Sequence, residues 1–546
     1  MKKIIYIATV LSALSLSACS KWLDVNDNPN SANATVPTAE QRLPPILAQF
    51  ADGYESAGTR TSFITQQLAV VNASNNNWNM TRWNLTNAAI GWPWQAWYVN
   101  TAVNIQPMID AANKVGATHY VGVAKIMKAW GFGYMVDCYG ILPYDEFDIV
   151  NNLTPKFDEG EYVYSKILPL LDEAIADLSR PQDQFAPDLK VGDTYNLGDV
   201  QKWIKLAYGL KARFLNHLSK RPNYDPDQIL DLLTKAPASS ADGTIYQYVD
   251  ESVNNVSDNS KASLQWTNTG TTARITKFYY DYITNNYTNA PTGANNMVDP
   301  RLDLLVPRMD NGTGTLVRTK AVDMQSALPN TGPVAVTFNE KTNKFSHADS
   351  VYISLRSAKA TTSGRVLSTG TWYTQKGGKG LLLTGAEMKF IEAEIRFKKG
   401  QTAQALQAYK DGIKIHMEIM GVTALNVANF LNSSSVIQDP GKLTLSHIMI
   451  QKYIALSYSQ EQWADMRRMD YCTDASGNYN EATGIYKGFN RPGHVFTNSF
   501  PGPTDWPRRF AIASYEIQYN LDQVTKADPD AGLPTYITKP VFWDKK

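Results

Sequence analysis

Two tryptophans occupy a stretch in which most neighbours carry amide or hydroxyl groups. Trp78 and Trp83 lie within Asn-Asn-Asn-Trp-Asn-Met-Thr-Arg-Trp-Asn over residues 75–84, which has no clean helical period. A flat indole can stack on the apolar face of a sugar, while amides and guanidinium groups bond its hydroxyls. We therefore predict that both tryptophans help to bind a neutral polar ligand. The alternative is that they fix the loop to the core, since tryptophan usually buries most of its surface.

Further aromatic residues stand in a segment rich in Gly, Thr, Ser and Asn. Trp266 and the adjacent pair Trp372 and Tyr373 have this setting, and we predict a similar binding role for them. Other tryptophans recur with helical spacing against apolar residues, which is typical of a core position. The predicted core tryptophans are Trp97, Trp130, Trp203 and Trp463.

Cys19 offers a different chemistry. It follows a start with two lysines, an apolar run from Ile4 to Leu16, and the small residues Ser17 and Ala18. This order predicts a signal peptide over residues 1–18, and the Leu-Ser-Ala-Cys ending resembles a bacterial lipobox. We predict that the Cys19 thiol is lipidated and anchors the chain to a membrane surface. The alternative is a cysteine that is lost with an ordinary signal peptide.

Signatures of catalysis and of cofactor binding are missing from the sequence. There is no His-Glu-x-x-His, no Gly-x-Ser-x-Gly and no Cys-x-x-Cys, and the glycine-rich turn at Gly377 lacks the P-loop spacing. We expect no catalytic residue, no metal and no cofactor. Lys and Arg total 52 against 51 Asp and Glu, a net charge of +1, so no bulk field would attract nucleic acid.

Two residue groups that could be functional are predicted to be structural. Cys138 and Cys472 could pair in an oxidising compartment, but their apolar helical contexts favour buried free thiols. Asp465, Arg467 and Arg468 could form a charged site, but beside Trp463 they favour structural ion pairs.

Helical patterns must position most of these residues. A plausible N-cap at Asp199 opens one of the predicted helices, and Gly400 closes another. The sequence predicts helices over 41–57, 96–115, 121–136, 161–178, 199–218, 387–399, 402–420 and 448–469. The helices on either side of Gly400 resemble a tetratricopeptide hairpin, and 121–136 with 161–178 could form a second. Between about residues 237 and 380 we expect loops and a few short strands, such as one over 334–338.

Several segments, in order behind the lipobox, carry a family resemblance. The chain resembles the SusD/RagB-type outer-membrane nutrient-binding lipoproteins of Bacteroidetes, of the second SusD-like branch. The segments that match are residues 22–30, 137–144, 203–213, 299–302, 387–394, 451–456 and 463–468, with Glu516 and Asn520 at the end. Two departures stand in scaffold turns: Ile141 replaces the usual acidic or amide residue, and Ser514-Tyr515 replaces the usual Tyr-Pro.

The resemblance implies a mainly α fold with a tetratricopeptide-like scaffold. On this reading, a tether over 19–40 leads into one domain over 41–546, with scaffold helices about 41–235 and 385–470. The loop-rich parts are an insertion about 236–384 and the C-terminal part 471–546. The resemblance further implies a lipid-anchored outer-membrane protein facing the cell surface. It would capture oligosaccharide or peptide for a SusC-like TonB-dependent barrel.

Three other classes compete with this function. A glycan-degrading enzyme would need two carboxylates that face each other across a cleft. A receptor for an inner-membrane transporter would alternate strands and helices in two lobes, which the helical pattern disfavours. A purely structural envelope lipoprotein would not need clustered loop tryptophans.

Overall fold

The computed structural model of the chain describes residues 36–545 with internal gaps. The gaps are residues 72–75, 148–151, 249, 252–255, 258–272, 311–313, 319, 327–337, 340–343, 346–352, 354, 356–357, 362–363 and 376. The predicted lipidation site Cys19, the aromatic residue Trp266 and most of the predicted strand 334–338 therefore lie outside the described residues. Among the described helices, none combines the length and apolarity that crossing a bilayer requires.

The first described helix, α1, is longer than its pattern predicts. It spans Ala39–Ile64, and the Thr38 backbone N–H donates to the Gln41 side chain at its start (3.1 Å). Pro44 and Pro45 lie inside the helix, in its second turn, where each removes a backbone donor from the helical hydrogen bonds. Behind α1 the chain forms shorter helical segments. These are α2 (Asn76–Thr81), α3 (Gly91–Gln95), a π-helical turn (Ala96–Thr101), a 3₁₀ turn (Ala102–Asn104) and α4 (Ile105–Lys114).

A helical hairpin follows, close to the predicted one. The hairpin consists of helices α5 (Thr118–Tyr139) and α6 (Gly160–Ser179). The two helices pack closely at Gly122 of α5, because a Cβ atom added there would lie only 2.9 Å from the Ala174 carbonyl oxygen of α6. Helix α7 (Val200–His217) begins after Asp199, whose carboxylate accepts bonds from the backbone N–H groups of the first turn, as predicted. Helix α8 (Pro226–Leu233) completes this half.

The hairpin predicted around Gly400 is confirmed with nearly its predicted bounds. Helices α11 (Gly385–Lys398) and α12 (Thr402–Ile419) are joined at Gly400, whose φ of 74° places it in the left-handed region that favours glycine. A Cβ on Gly412 would lie 2.8 Å from the Phe390 ring, so the absence of a side chain allows the close approach. The fold is mainly α and resembles stacked repeat hairpins, as predicted.

The helix predicted over 448–469 is two helices. These are α14 (Leu445–Ala455) and α15 (Glu461–Arg468), and α13 (Ala424–Leu431) precedes them. Tyr458 breaks the path with a φ of 66°, and its backbone N–H donates to the Gln67 side chain (3.0 Å). The Tyr458 carbonyl oxygen packs against Gly58 of α1, where there is no room for a side chain, since an added Cβ atom would lie 1.9 Å from this oxygen. The apolar period continues through this break, which is why the pattern missed it.

Short strands join the helical parts. A four-stranded antiparallel sheet has the order β12 (Ala358–Ala360), β13 (Val366–Thr369), β8 (Met309–Asp310) and β9 (Leu316–Val317). The remaining strands form antiparallel pairs. The pairs are β1 (Leu68–Ala69) with β7 (Arg274–Ile275), β2 (Ile141–Leu142) with β3 (Asp158–Glu159), β4 (Thr244–Gln247) with β14 (Lys379–Leu383), β5 (Asp250–Glu251) with β6 (Val256–Ser257), and β10 (Phe338–Asn339) with β11 (Lys344–Phe345).

Arg301 fixes this strand-containing region to the scaffold. It is fully buried ahead of helix α10 (Leu302–Leu305), and its guanidinium bonds Asp299, His416 on α12 and Gln451 on α14. These bonds satisfy a charge that burial would otherwise make costly. The region therefore has a fixed position against two scaffold helices.

The predicted core residues are buried. The four tryptophans on helical stripes are at most 1% exposed: Trp97, Trp130, Trp203 and Trp463. Cys138 and Cys472 are buried free thiols, and burial raises the pKa of Cys472 to about 12. Arg467 stacks on Trp463 at 4.0 Å, and Arg468 pairs with Asp465, so these charges are structural, as predicted.

Candidate ligand-binding site

A cleft of about 890 Å³ opens on the side of the molecule formed by three loop-bearing segments. Its volume is within the range that small-molecule and oligomer sites usually occupy. The walls are helix α9 (Lys277–Ile283) with the loop that follows it, a hairpin that begins near Cys472, and the short segment around Met324. We call this the Tyr479 cleft. Its lining residues are Gln66, Lys277, Phe278, Asp281, Tyr282, Asn285, Asn286, Tyr287, Thr288, Asn289, Ala290, Thr292, Asp323, Met324, Gln325, Tyr479, Glu481, Lys487 and Gly488.

Helix α9 forms the first wall because it has one apolar and one polar face. Thr276 caps it by accepting the backbone N–H of Tyr279 (3.2 Å), and Tyr282 packs on Tyr453 of α14. On the polar face, Lys277 forms an ion pair with Asp281 one turn later.

The loop after α9 carries amides into the cleft. Asn285 and Asn289 have φ values of 53° and 63°, a left-handed conformation that asparagine tolerates better than most residues. The Asn285 amide donates to the Ser435 carbonyl (2.9 Å), which fixes the start of the loop. Between them, Asn286 is exposed and Tyr287 is half-buried. The loop therefore presents amides and a phenol ring on a fixed backbone.

The hairpin forms the second wall and holds an exposed ring. Its tight turn includes Gly477, with a φ of 83°, and the Asp474 N–H donates to the Asn478 carbonyl (2.9 Å). Tyr479 is 40% exposed, and its hydroxyl donates to the Glu481 carboxylate (2.7 Å). The bond fixes the orientation of a ring that remains accessible, as a stacking surface requires.

Glu481 is held by several donors. Its carboxylate accepts bonds from the Tyr479 hydroxyl and the Gly488 backbone N–H, both at 2.7 Å, and from Thr288. Partial burial alone would raise the pKa of Glu481, but these hydrogen bonds lower it overall. Glu481 therefore carries its negative charge at neutral pH.

The third wall connects the cleft to a predicted tryptophan. The Asp323 carboxylate accepts the Gln325 backbone N–H (2.9 Å), and the Met324 carbonyl accepts the Gly493 N–H (2.8 Å). Behind the wall, Met324 packs with Trp78 in a small apolar cluster. Trp78 is 7% exposed and supports the wall from outside the cleft lining.

The other described aromatic predictions also lie outside the cleft lining. Trp83 is fully buried, and its indole N–H donates to the Ile64 carbonyl (3.1 Å). Tyr373 is 1% exposed and its ring lies 4.9 Å from that of Tyr458, while Trp372 is half-buried. Burial leaves Trp83 and Tyr373 no face for a ligand in this conformation. A ligand contact at Trp372 stays a prediction.

Tyr287 and Tyr479 line the cleft but are not among the predicted aromatic residues, which are mainly tryptophans. Both tyrosines stand in the same composition that singled out Trp78. Tyr287 follows two asparagines in Asn-Asn-Tyr-Thr-Asn, and Tyr479 lies between two in Gly-Asn-Tyr-Asn. A search for any aromatic residue that stands among asparagines in a loop would have selected both tyrosines.

A second polar cluster lies deep in the scaffold. Asp137, His217 and Glu461 place potential metal ligand atoms within 4.8 Å of one another. The His217 ring lies 3.0 Å from the Glu461 carboxylate, and Arg213 pairs with Glu387 at 2.6 Å and with Glu461 at 3.6 Å. We call these five residues the buried ion network.

Each charge of the buried ion network, three carboxylates and two cations, lies beside an opposite one. Burial alone would lower the pKa of His217, but Asp137 and Glu461 raise it to about 9, so the imidazole is charged at neutral pH. A metal ion would have to compete with this imidazolium and with Arg213. The geometry therefore favours an internal ion network that joins α5, α7, α11 and α15.

Most of the chain matches a known protein family. Residues 31–485 match the sequence profile of a SusD-like family described as starch-binding and associating with the outer membrane. The comparison with curated proteins gives no match.

Solved structures share the fold at low identity. A SusD/RagB family protein from Bacteroides thetaiotaomicron is 20% identical with a TM-score of 0.66, over 93% of this chain and 99% of that chain. A chitin-binding SusD homologue from Flavobacterium johnsoniae is 19% identical with a TM-score of 0.63, over 92% and 99%. A SusD homologue from Bacteroides fragilis is 18% identical with a TM-score of 0.60, over 91% and 99%.

Proposed function

This chain belongs to the SusD-like family, and we propose that it is a non-catalytic, cell-surface binding protein for an oligosaccharide. The observation that carries the proposal is the Tyr479 cleft. It combines an exposed ring of fixed orientation, a second ring at Tyr287, and exposed amides on a rigid loop. Rings that stack on sugar faces beside amides that bond hydroxyls are what a neutral sugar requires. A peptide is the alternative ligand, since the amides could also bond a peptide backbone.

The proposal includes an anchor and a partner. Lipidation at Cys19 would attach the chain to the outer membrane, with which the family is described as associating. A SusC-like TonB-dependent barrel would receive the ligand from the cleft. Replacing Cys19 with Ala should release the protein from the membrane fraction and abolish acyl labelling, and native purification from membranes should recover a barrel. Unchanged acyl labelling, or repeated recovery of the chain alone, would count against these two parts.

The predicted aromatic residues have different proposed roles. Trp78 would stabilise the Met324 wall, and Trp83 and Tyr373 would support neighbouring loops from the core. Trp372, which is half-buried, and Trp266, which lies outside the described residues, remain proposed ligand contacts.

The state of Glu481 supports binding over hydrolysis. A glycosidase uses a carboxylic acid whose pKa is raised, so that it can protonate the leaving oxygen. The hydrogen bonds to Glu481 lower its pKa, and Asp281 is engaged by Lys277. Glu481 therefore favours the ionised form, which does not donate a proton.

The experiment is a screen of oligosaccharides and peptides, followed by titration of Tyr479→Ala. We expect this variant to bind at least about tenfold more weakly, the loss typical of an aromatic hot spot. The matched control is Tyr519→Ala, because Tyr519 is 76% exposed and lies outside the cleft lining. Binding that is unaffected by Tyr479→Ala, or equally weakened by Tyr519→Ala, would contradict the proposed site. Turnover of any bound glycan would contradict the non-catalytic role.

A further inference from the structure

The lining of the Tyr479 cleft has more carboxylates than ammonium groups, and these groups differ in how far the protein already binds them. The lining contains the carboxylates of Asp281, Asp323 and Glu481 and the ammonium groups of Lys277 and Lys487, a net charge of −1. A lysine whose N–H donors are used inside the protein keeps its charge but has fewer donors to offer a ligand. The bonds that each charged group already makes within the protein therefore decide which of them can bond a ligand.

Both lysines are engaged. Lys487 is 7% exposed, and its ammonium donates to the carbonyls of Glu481 (2.8 Å) and Ala482 (3.1 Å), which fixes the hairpin. Lys277 forms its ion pair with Asp281. A ligand anion would therefore meet, at Lys277, a charge offset by Asp281 and, at Lys487, donors that already bond carbonyl oxygens.

Two carboxylates remain without a salt bridge among the described residues. Within the described part of the chain, Asp323 accepts the Gln325 N–H and the Ser326 hydroxyl (3.0 Å), so its oxygens retain lone pairs for a further donor. Glu481 has its donors from the protein, and it acts on a ligand through its charge and by orienting Tyr479. The two groups lie on different walls of the same cleft.

From this arrangement we infer that the cleft selects its ligand by charge, accepting neutral and amine-bearing oligosaccharides and rejecting those that carry uronate or sulfate. The inference rests on the proposed function. A ligand carboxylate would place like charges together in a partly desolvated space, which costs binding free energy and excludes the wrong ligand. A ligand amine or hydroxyl could instead donate to Asp323. The lowered pKa of Glu481 keeps that second charge in place at neutral pH.

The test uses the full chain and an array of neutral, amine-bearing, uronate-bearing and sulfated oligosaccharides. Titrations then compare the best neutral tetrasaccharide with the galacturonic acid tetramer, at low and at high salt. The variant is Asp323→Asn, which removes one charge and keeps the oxygen that accepts the Gln325 N–H. The matched control is Asp439→Asn, because Asp439 accepts the Gly441 N–H at the same 2.9 Å and lies outside the cleft lining.

We expect wild-type protein to prefer the neutral tetrasaccharide at least about tenfold at low salt, an ordinary size for charge discrimination. Asp323→Asn should reduce this ratio about two- to fivefold, and high salt should reduce it in both proteins because ions screen the repulsion. Asp439→Asn should leave the ratio unchanged.

Three results would overturn the inference, and they differ in what else they affect. Equal affinity for neutral and uronate ligands, with binding still dependent on Tyr479, would remove charge selection and leave the proposed function intact. An Asp323→Asn ratio equal to that of Asp439→Asn would remove Asp323 as the selecting residue. Absence of binding to every oligosaccharide would overturn the proposed function, and this inference with it.

Discussion

The buried ion network and the Tyr479 cleft both contain carboxylates beside basic groups, but the network is buried and the cleft is open. In the network, Arg213 faces Glu387 and Glu461, and His217 lies between Asp137 and Glu461. Each of these charges meets an opposite charge inside the protein. In the cleft, Tyr479 is tied to Glu481 through its hydroxyl only, so its ring remains accessible.

The difference has a physical cause. A buried charge without a partner costs several kcal/mol, so a buried polar group must be bonded within the protein. A group at an open cleft is bonded by water until a ligand replaces it, so the fold can leave part of its bonding capacity unused. The network therefore has its charges paired within the fold, whereas the cleft retains bonding capacity that a ligand could use.

The largest expected effect comes from removing one charge of the network. Arg213→Met should lower the free energy of unfolding by about 3–5 kcal/mol, because Glu387 is left buried without its partner. The measurement is the midpoint of urea unfolding. The double variant Arg213→Met with Glu387→Met is the control, and it should recover part of the loss. A single-variant loss below about 1 kcal/mol would show that the network is not a stabilising unit.

The network also predicts how stability depends on pH. The pKa of His217 is raised from 6.5 to about 9 in the folded protein, so the folded state binds the proton more tightly than the unfolded state. The stabilisation, at most about 3 kcal/mol, is complete below about pH 6.5 and is lost as the pH rises through about 9. Urea midpoints between pH 6 and pH 10 should fall accordingly, and His217→Gln should flatten this dependence. An equal slope in both proteins would contradict the assignment.

Trp83 is the intermediate case, because it is fully buried but packs on Phe489, which follows Gly488 of the cleft lining. Trp83→Phe should cost about 1–3 kcal/mol, since the Ile64 carbonyl loses its donor. Ligand affinity of the folded protein should remain unchanged. Trp92→Phe is a control at an indole that is 38% exposed, and it should cost less. Weakened binding at unchanged stability would instead place Trp83 in a ligand site.

The smallest effect on stability is expected in the cleft itself. Tyr479→Phe should change the free energy of unfolding by no more than about 0.5 kcal/mol, because the side chain is exposed and its hydroxyl can be replaced by water. Its affinity loss should be smaller than that of Tyr479→Ala, since the ring is kept. Differential scanning calorimetry and ligand titration on both variants test this. A large loss of stability would place Tyr479 with the structural residues.

Much of the scaffold could be predicted from the sequence, because helices repeat a local pattern. The hairpin around Gly400 has nearly its predicted bounds, and Asp199 caps α7 as expected. The break at Tyr458 could not be predicted, since it depends on contact with Gly58 some 400 residues earlier in the chain. A local apolar period carries no information about such a contact.

For the candidate site, composition indicated a kind of loop, and the tertiary structure decided which residues of that kind line the cleft. Aromatic residues among amides predicted a binding function at Trp78, and the same composition recurs at Tyr287 and Tyr479, which line the cleft. Which ring is exposed depends on what packs over it. Phe489, Phe500 and Trp506 cover Trp83, whereas the Gly477 turn carries Tyr479 outward.

The sequence by itself determined the family, the helical class and the core tryptophans, because these follow from local order and spacing along the chain. Only the tertiary structure decided which aromatics are open, which charges are already paired, and that residues near 280, 324 and 480 form one cleft. Exposure and charge pairing are properties of surfaces that distant segments make together. A one-dimensional pattern records the side chains that a site can use, and packing decides which of them remain available to a ligand.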